Sequence, residues 1–353
     1  MGFLHITPVE PKAAIGPDAA VYQQQRADVG LARMPALIAL SPAPGLLAAG
    51  WAMLRESLMA GPVSRTDREI IALGVSKANE CAYCVGAHTM FLHAIGEHDL
   101  AESLASGGRP RDARWAALYA WALGETRDAP DAPELLGTAL TFHFINRMIS
   151  ILHTPDVLPG GLQNTRVGRS VGGRALSKPA RRLLEPGASL PLLPGGGSGE
   201  GPAPDSAGAP GSPAGAGGGS SVGSSGAAHS FVGPSWAGGS PVGPAYAALT
   251  EAAGRGAGLL TDPERVAAAV ARWDGRPPPL GGSWLADALT GLDQKAVPPT
   301  RLALLAALAP YRITKADVTA WPHTDESLVQ LLAFGAITAV RHAERAFSTA
   351  AAA

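Results

Sequence analysis

The residues that could do chemistry sit close together. The chain's two cysteines, Cys81 and Cys84, are followed by His88 and preceded by Glu69, in the stretch Glu69-Ile-Ile-Ala-Leu-Gly-Val-Ser-Lys-Ala-Asn-Glu-Cys81-Ala-Tyr-Cys84-Val-Gly-Ala-His88. On a helix, positions 81, 84 and 88 share one face, because steps of three and four residues return to the same side. Two thiols one turn apart at a helix start can close a disulfide. The unpaired N–H groups and positive dipole end there favour thiolate over thiol, taking a cysteine below its free value of about 8.5. A low-pKa thiolate with a neighbouring thiol is what peroxide reduction or disulfide exchange requires. His88, one turn beyond Cys84, can take or relay a proton, and Glu69 can hold the other end of that relay.

Zinc is a second candidate for the same residues. Cys81, Cys84 and His88, with Glu69 or His93 as fourth ligand, would make a metal-holding interaction module. Structural zinc sites usually draw two ligand pairs from separated segments, and this chain has no second cysteine pair. Plain core packing is the third, since buried free cysteine is common and inert. The thiol reading calls for no cofactor and no metal.

These side chains must be placed by helices, since convincing strand signals are missing and aromatic residues make up only 5% of the chain. Thr66 and Glu69 form a capping-box pattern that opens a helix to about Ala78, with an apolar stripe of Ile70, Ile71, Leu73 and Val75. A second helix starts near Cys81 and stops at Gly96. Around them, helices are expected at 19–30, 44–59, 112–123 and 133–152. Beyond residue 243, Thr261 and Glu264 suggest another capping box before 266–273, and further helices are expected at 300–308 and 325–347. Laying 328–341 on 134–147 aligns Arg341 with Arg147, a weak sign of a degenerate internal repeat.

Gly and Pro number 44 and 31 in 353 residues, and their excess is concentrated: from Pro194 to Ala228 all but Glu200, Asp205 and Val222 are Gly, Pro, Ser or Ala. Such a segment buries too little apolar surface to offset its ordering entropy. The expected organisation is therefore a helical catalytic domain at 1–159, a disordered linker at 160–242 and a second, cysteine-free helical domain at 243–353. Arginines 166, 169, 174, 181 and 182 fall in the linker and read as solvated charge. With 28 Lys+Arg against 29 Asp+Glu, the net charge of −1 argues against nucleic-acid and membrane-surface partners. No signal peptide is visible, and the longest clean apolar stretch, 46–54, is too short to span a bilayer. The expected location is the cytoplasm, a reducing compartment where a lone close cysteine pair points to chemistry.

Glu69, eleven residues, Cys81-Ala-Tyr-Cys84, three residues and His88 matches the Glu-x11-Cys-x2-Cys-x3-His signature, so the chain resembles the AhpD-like alkylhydroperoxidases of the carboxymuconolactone decarboxylase superfamily. Ser41-Pro-Ala-Pro-Gly-Leu-Leu, Trp51 and Arg55-Glu56 are similar to the upstream helices of such proteins, and Thr141-Phe-His143-Phe-Ile-Asn146-Arg147-Met to a later one. The resemblance covers about residues 15–155. It implies an all-helical fold that assembles as a homo-oligomer, commonly trimeric or a multiple of it. It also implies that Cys84 attacks the hydroperoxide and Cys81 resolves the sulfenic acid as a disulfide, with Glu69 and His88 carrying the proton relay. A partner dithiol would reduce that disulfide: a lipoyl group, a thioredoxin-like protein or a low-molecular-weight thiol.

One departure is Tyr83, where some members carry a histidine; a phenol titrating near 10 donates a hydrogen bond but is a poor base. Members that decarboxylate a muconolactone generally lack the cysteine pair, so a cofactor-free decarboxylase or lactone enzyme is an alternative that Cys81 and Cys84 argue against. His143, one turn from Arg147, reads first as a core or interface histidine and second as a supporting candidate at the mouth of the thiol site; Tyr83 is a further supporting candidate. His93 reads as a surface or packing residue, and Trp115, Tyr119 and Trp121 as core. The glycines lie outside any strand–helix context, so no nucleotide site is expected.

Overall fold

The computed structural model describes residues 2–195, 231–279 and 283–350. From the N-terminus, α1 (Gly16–Val29), α2 (Pro35–Ile38) and α3 (Leu46–Leu54) lead through a π-helical turn at Arg55–Met59 to α4 (Arg65–Ala78) and α5 (Ala82–Ile95). Next come α6 (His98–Ala105), α7 (Ala113–Ala122), α8 (Pro133–Leu152) and α9 (Arg166–Ala180). The C-terminal part holds α10 (Val242–Gly254), α11 (Glu264–Arg272), α12 (Trp284–Leu289), α13 (Val297–Leu308), α14 (Lys315–Thr319) and α15 (Asp325–Ala350). The fold is all-α, and the β-type pairings among the described residues are the isolated bridges Phe3–His153 and Ala60–Leu184.

The helices expected from periodicity form, with α2, α6, α9, α10, α12 and α14 in addition, and their ends have local causes. Asp112 caps α7 by accepting from Trp115 N at 2.9 Å. Gly96 ends α5 at φ +106°, a left-handed conformation that costs glycine little. The two expected capping boxes do not form. α4 is capped by Ser64, which accepts from Asp67 N at 3.4 Å. Glu69 is turned inward instead, because Arg65 and a histidine on α5 hold its carboxylate. At α11, Pro263 occupies the cap position with no side-chain bond, while Asp262 Oδ1 accepts from Arg265 N at 3.3 Å.

One continuous cluster of buried apolar side chains includes Trp51 on α3, Leu73 on α4, Phe144 on α8, Leu304 on α13 and Leu332 on α15. α3 packs on α10, and α8 on α15. The two segments that overlay in sequence thus lie against each other. α8 has the length and mean hydropathy, 1.3, of a membrane span, but 89% of that stretch is buried within the protein.

The linker expectation needs correction on its N-terminal side. Residues 196–230 lie outside the described residues, but 166–180 form α9, which packs against α5. Two features that composition hides explain this. Gly172 and Gly173 remove the side chains that would keep α9 away from α5: a Cβ on Gly173 would stand 2.6 Å from His93 Cβ and 2.9 Å from Met90 O. Three of the five arginines are also anchors, while Arg166 and Arg174 are exposed as expected. Arg169 Nε donates to Glu102 Oε1 at 2.9 Å, Arg181 Nε to Ala94 O at 3.2 Å and Arg182 Nη1 to Ala27 O at 2.7 Å. Glu102 is itself held down to about 2, first by the Arg169 bond and then, against burial, by His93. His93 is accordingly buried, at 4% exposure, between His98 and Glu102.

The segment after α9 is tied by a buried ionic cluster. Arg55 Nε donates to Asp28 at 2.7 Å, and its Nη1 to Glu56 at 2.8 Å and to Glu185 O at 2.9 Å. Glu56 in turn accepts from Gly187 N at 2.7 Å and from Ser189 Oγ at 2.6 Å. Buried charges persist when paired and hydrogen-bonded in this way.

The α5–α9 approach gives a direct test. Gly173→Ala should lower stability by about 1–3 kcal/mol through overpacking. Gly254→Ala, where a Cβ meets nothing within 4 Å in a helical backbone, should raise it by about 0.5–1 kcal/mol. Urea unfolding of the two proteins beside wild type measures both.

Candidate active site

The turn between α4 and α5 places the cysteines. Glu80 adopts φ +55°, a left-handed residue that reverses the chain within two positions. Cys81 N then bonds back to Ser76 O at 2.9 Å. Cys81 becomes the cap of α5, its Sγ accepting from Cys84 N at 3.3 Å. Cys84 falls in the first turn, where the helix presents its unpaired N–H groups. The two sulfurs are joined as a disulfide, with Cα atoms 5.4 Å apart. Both residues are buried, at 1% and 2% exposure.

Cys84 and His88 line one cavity of about 390 Å³. Leu58, Phe142 and Ile145 form an apolar wall on one side, and Ala175 and Leu176 of α9 close the other. Among its few polar lining groups are Arg33, Arg65 and Tyr83. His88 is held edge-on to Phe142 with ring centroids 4.3 Å apart.

Behind His88 the polar chain is short and complete. Its Nδ1 lies 2.7 Å from Glu69 Oε2, and Arg65 Nε donates to Glu69 Oε1 at 2.7 Å. Glu69 is fully buried. Burial alone would raise its carboxyl, but the charges of Arg65 and His88 and their hydrogen bonds outweigh it and hold the group below the usual carboxylate range. An ionised Glu69 accepts a hydrogen bond from the Nδ1–H of His88, leaving Nε2 as the basic nitrogen. The arrangement can therefore accept and return a proton beside a sulfur in an enclosed apolar space.

Glu69, Cys81, Cys84 and His88 are thus brought together as their spacing suggests. Tyr83 joins them in the cavity wall, pushed up to about 12 by burial despite the opposing charge of Arg33, so it is no base near neutrality. His143 does not join them. It lies on α8 next to Phe142 but lines a separate cavity with Asn79 and Arg147. Arg65 joins them as well, at the four-residue step before Glu69 that is the sequence signal of a helical ion pair. Among the described residues no group of three or more His, Cys, Asp or Glu side chains could hold a metal ion, and the two thiols that zinc would need are bonded to each other.

The model of the carboxymuconolactone decarboxylase family matches residues 45–122, which carry all four of these residues. A Mycobacterium tuberculosis protein named alkyl hydroperoxide reductase is 36% identical over 352 residues, a match covering 96% of this chain and 92% of the relative. The similarity therefore runs through both helical parts. No solved structure matches the chain.

Removing the central carboxylate should have a pH-dependent cost. A carboxylate with a depressed folded pKa contributes stability that is complete above its unfolded value of about 4.3 and is lost as pH falls through the folded value. Glu69→Gln should therefore be less stable than wild type by about 3–5 kcal/mol at pH 7, as when one partner of a buried pair is removed. The gap should stay constant down to about pH 5 and narrow below about pH 4. Urea unfolding of both proteins across that range measures it.

Proposed function

This chain belongs to the carboxymuconolactone decarboxylase family, and we propose that it is an AhpD-like thiol peroxidase acting on organic hydroperoxides. The observation that carries this reading is the position of Cys84: bonded to Cys81, in the wall of an apolar cavity, with His88 beside it and Glu69 behind. The name of the mycobacterial relative supports it.

In the reduced enzyme His88 Nε2 takes the proton of the Cys84 thiol, and the ionised Glu69 stabilises the imidazolium. The Cys84 thiolate attacks the terminal oxygen of the hydroperoxide, and the O–O bond breaks. The departing alkoxide takes the proton from His88 and leaves as an alcohol, with Cys84 oxidised to a sulfenic acid. The Cys81 thiolate then attacks the Cys84 sulfur, forming the disulfide and expelling hydroxide, which leaves as water. A dithiol reductant returns two electrons and two protons by thiol–disulfide exchange.

The Cys81 sulfur, which accepts the Cys84 amide, is the better-stabilised leaving thiolate in that exchange. The reductant classes that fit are a lipoyl group, a thioredoxin-like protein or a low-molecular-weight thiol. We place the protein in the cytoplasm, where such reductants keep thiols reduced, and expect a homo-oligomer. We assign 1–159 as the catalytic unit, extended through α9, which closes its cavity, and 243–353 as a degenerate repeat packed upon it.

Cys84→Ser should lose at least about 100-fold of peroxidase turnover, within the range expected for a covalent catalytic group. Cys81→Ser should leave a sulfenic acid on Cys84 that dimedone traps. Burying about 100 Å² of hydrocarbon at about 25 cal/mol/Å² favours an organic hydroperoxide over hydrogen peroxide by roughly 60-fold in kcat/KM. Cumene hydroperoxide against hydrogen peroxide measures that ratio. Full activity in Cys84→Ser would overturn the assignment, and decarboxylation of a lactone substrate by a protein lacking both thiols would replace it.

A further inference from the structure

A second cavity, of about 430 Å³, shares no lining residue with the thiol cavity. It opens between α4, α7 and α8 on one side and α15 with the turn after α11 on the other. Arg127, Arg147, Arg276 and Arg345 line it, with Asp274. They come from four separated stretches of a chain whose net charge is −1, so the fold and not the composition gathers them. Asp274 Oδ1 already lies 3.0 Å from His342 Nε2.

Arg147 is the buried member, at 5% exposure. Its Nε donates to Ala307 O at 2.9 Å, and its Nη1 to His143 O at 2.7 Å and to Asn79 Oδ1 at 3.3 Å. These partners are neutral oxygens, which orient the guanidinium without cancelling its charge, and burial holds Arg147 down to about 10. A buried cation left without a counter-charge costs several kcal/mol, and an anion in the adjoining cavity would offset that cost.

His143 fits the same chemistry. Asn79 turns its Oδ1 to Arg147, so its Nδ2 donates to His143 Nδ1, 3.4 Å away. The imidazole, kept neutral by burial and by the Arg147 charge, then carries its proton on Nε2, a donor. Opposite these groups the wall is apolar, with Trp121 and Phe347 at ring centroids 4.9 Å apart.

We propose that this cavity is a binding site for an organic anion with a carboxylate head and an apolar body. The head lies against Arg147 with the exposed arginines Arg127 and Arg276 at the mouth, and the body lies on Trp121 and Phe347. The site is separate from the thiol chemistry and does not depend on the peroxidase reading.

The probe is decanoate below its micellar range, titrated into the full-length protein and followed by tryptophan fluorescence and calorimetry. Saturable one-to-one binding is expected, at least tenfold tighter than decanol or decyltrimethylammonium. The double variant Arg127→Gln/Arg276→Gln, both surface positions, should bind at least tenfold more weakly while keeping wild-type helicity and peroxidase activity. Trp121→Phe should remove most of the fluorescence response while calorimetry still registers binding. Equal affinity for decanoate and decanol, or undiminished binding by the double variant, would place the ligand elsewhere and overturn the proposal, as would absence of saturable binding to wild type.

Discussion

A carboxylate with no access to water organises the thiol site. Glu69 is fully buried, and a buried charge is tolerable only when paired and hydrogen-bonded on both oxygens. One oxygen takes Arg65, a turn earlier on α4, and the other takes His88, a turn into α5 after the cysteines. These bonds join two helices whose connecting turn holds Cys81 and present the free nitrogen of His88 toward the cavity that Cys84 lines. On the peroxidase reading the same carboxylate serves fold and chemistry. Its pairing secures the helix angle, and its charge selects the tautomer in which His88 can act as a base.

How much of this was legible in the sequence follows from the range of each interaction. The four residues Glu69, Cys81, Cys84 and His88 could be read because three of them lie within two helical turns, where spacing dictates geometry. The all-α fold was legible for the same reason, with α8 running from Pro133 to Leu152 as its apolar period and Pro start suggest. His143 was misplaced by a single helical step. Its neighbour Phe142 faces His88, and one residue's rotation of about 100° carries His143 into the other cavity. Adjacent residues on a helix face different partners, and only the packing partners of α8 decide which face meets which site.

α9 was invisible for a different reason. Its sequence, Arg166-Val-Gly-Arg-Ser-Val-Gly-Gly-Arg-Ala-Leu-Ser-Lys-Pro-Ala180, is poor in large apolar groups and rich in glycine, which reads as unstructured. Its order comes from outside: from the close approach to α5 that Gly173 permits and from carboxylates and carbonyls on α5, α6 and α1 that receive its arginines. Intrinsic propensity is a weak prior that tertiary contacts override. Composition also says nothing of the consequence, that this helix closes the thiol cavity.

Enclosure constrains the order of events. Cys84 lines the cavity, whereas Cys81 is 1% exposed and is not among the lining residues. On the peroxidase reading, oxidant and reductant then reach the same sulfur, through the cavity of about 390 Å³ that α9 bounds. On the peroxidase reading, the hydroperoxide must leave as its alcohol before the reducing thiol can enter, which makes the cycle an alternation of two half-reactions. On the same reading, the reducing thiol reaches Cys84 through the cavity that α9 bounds.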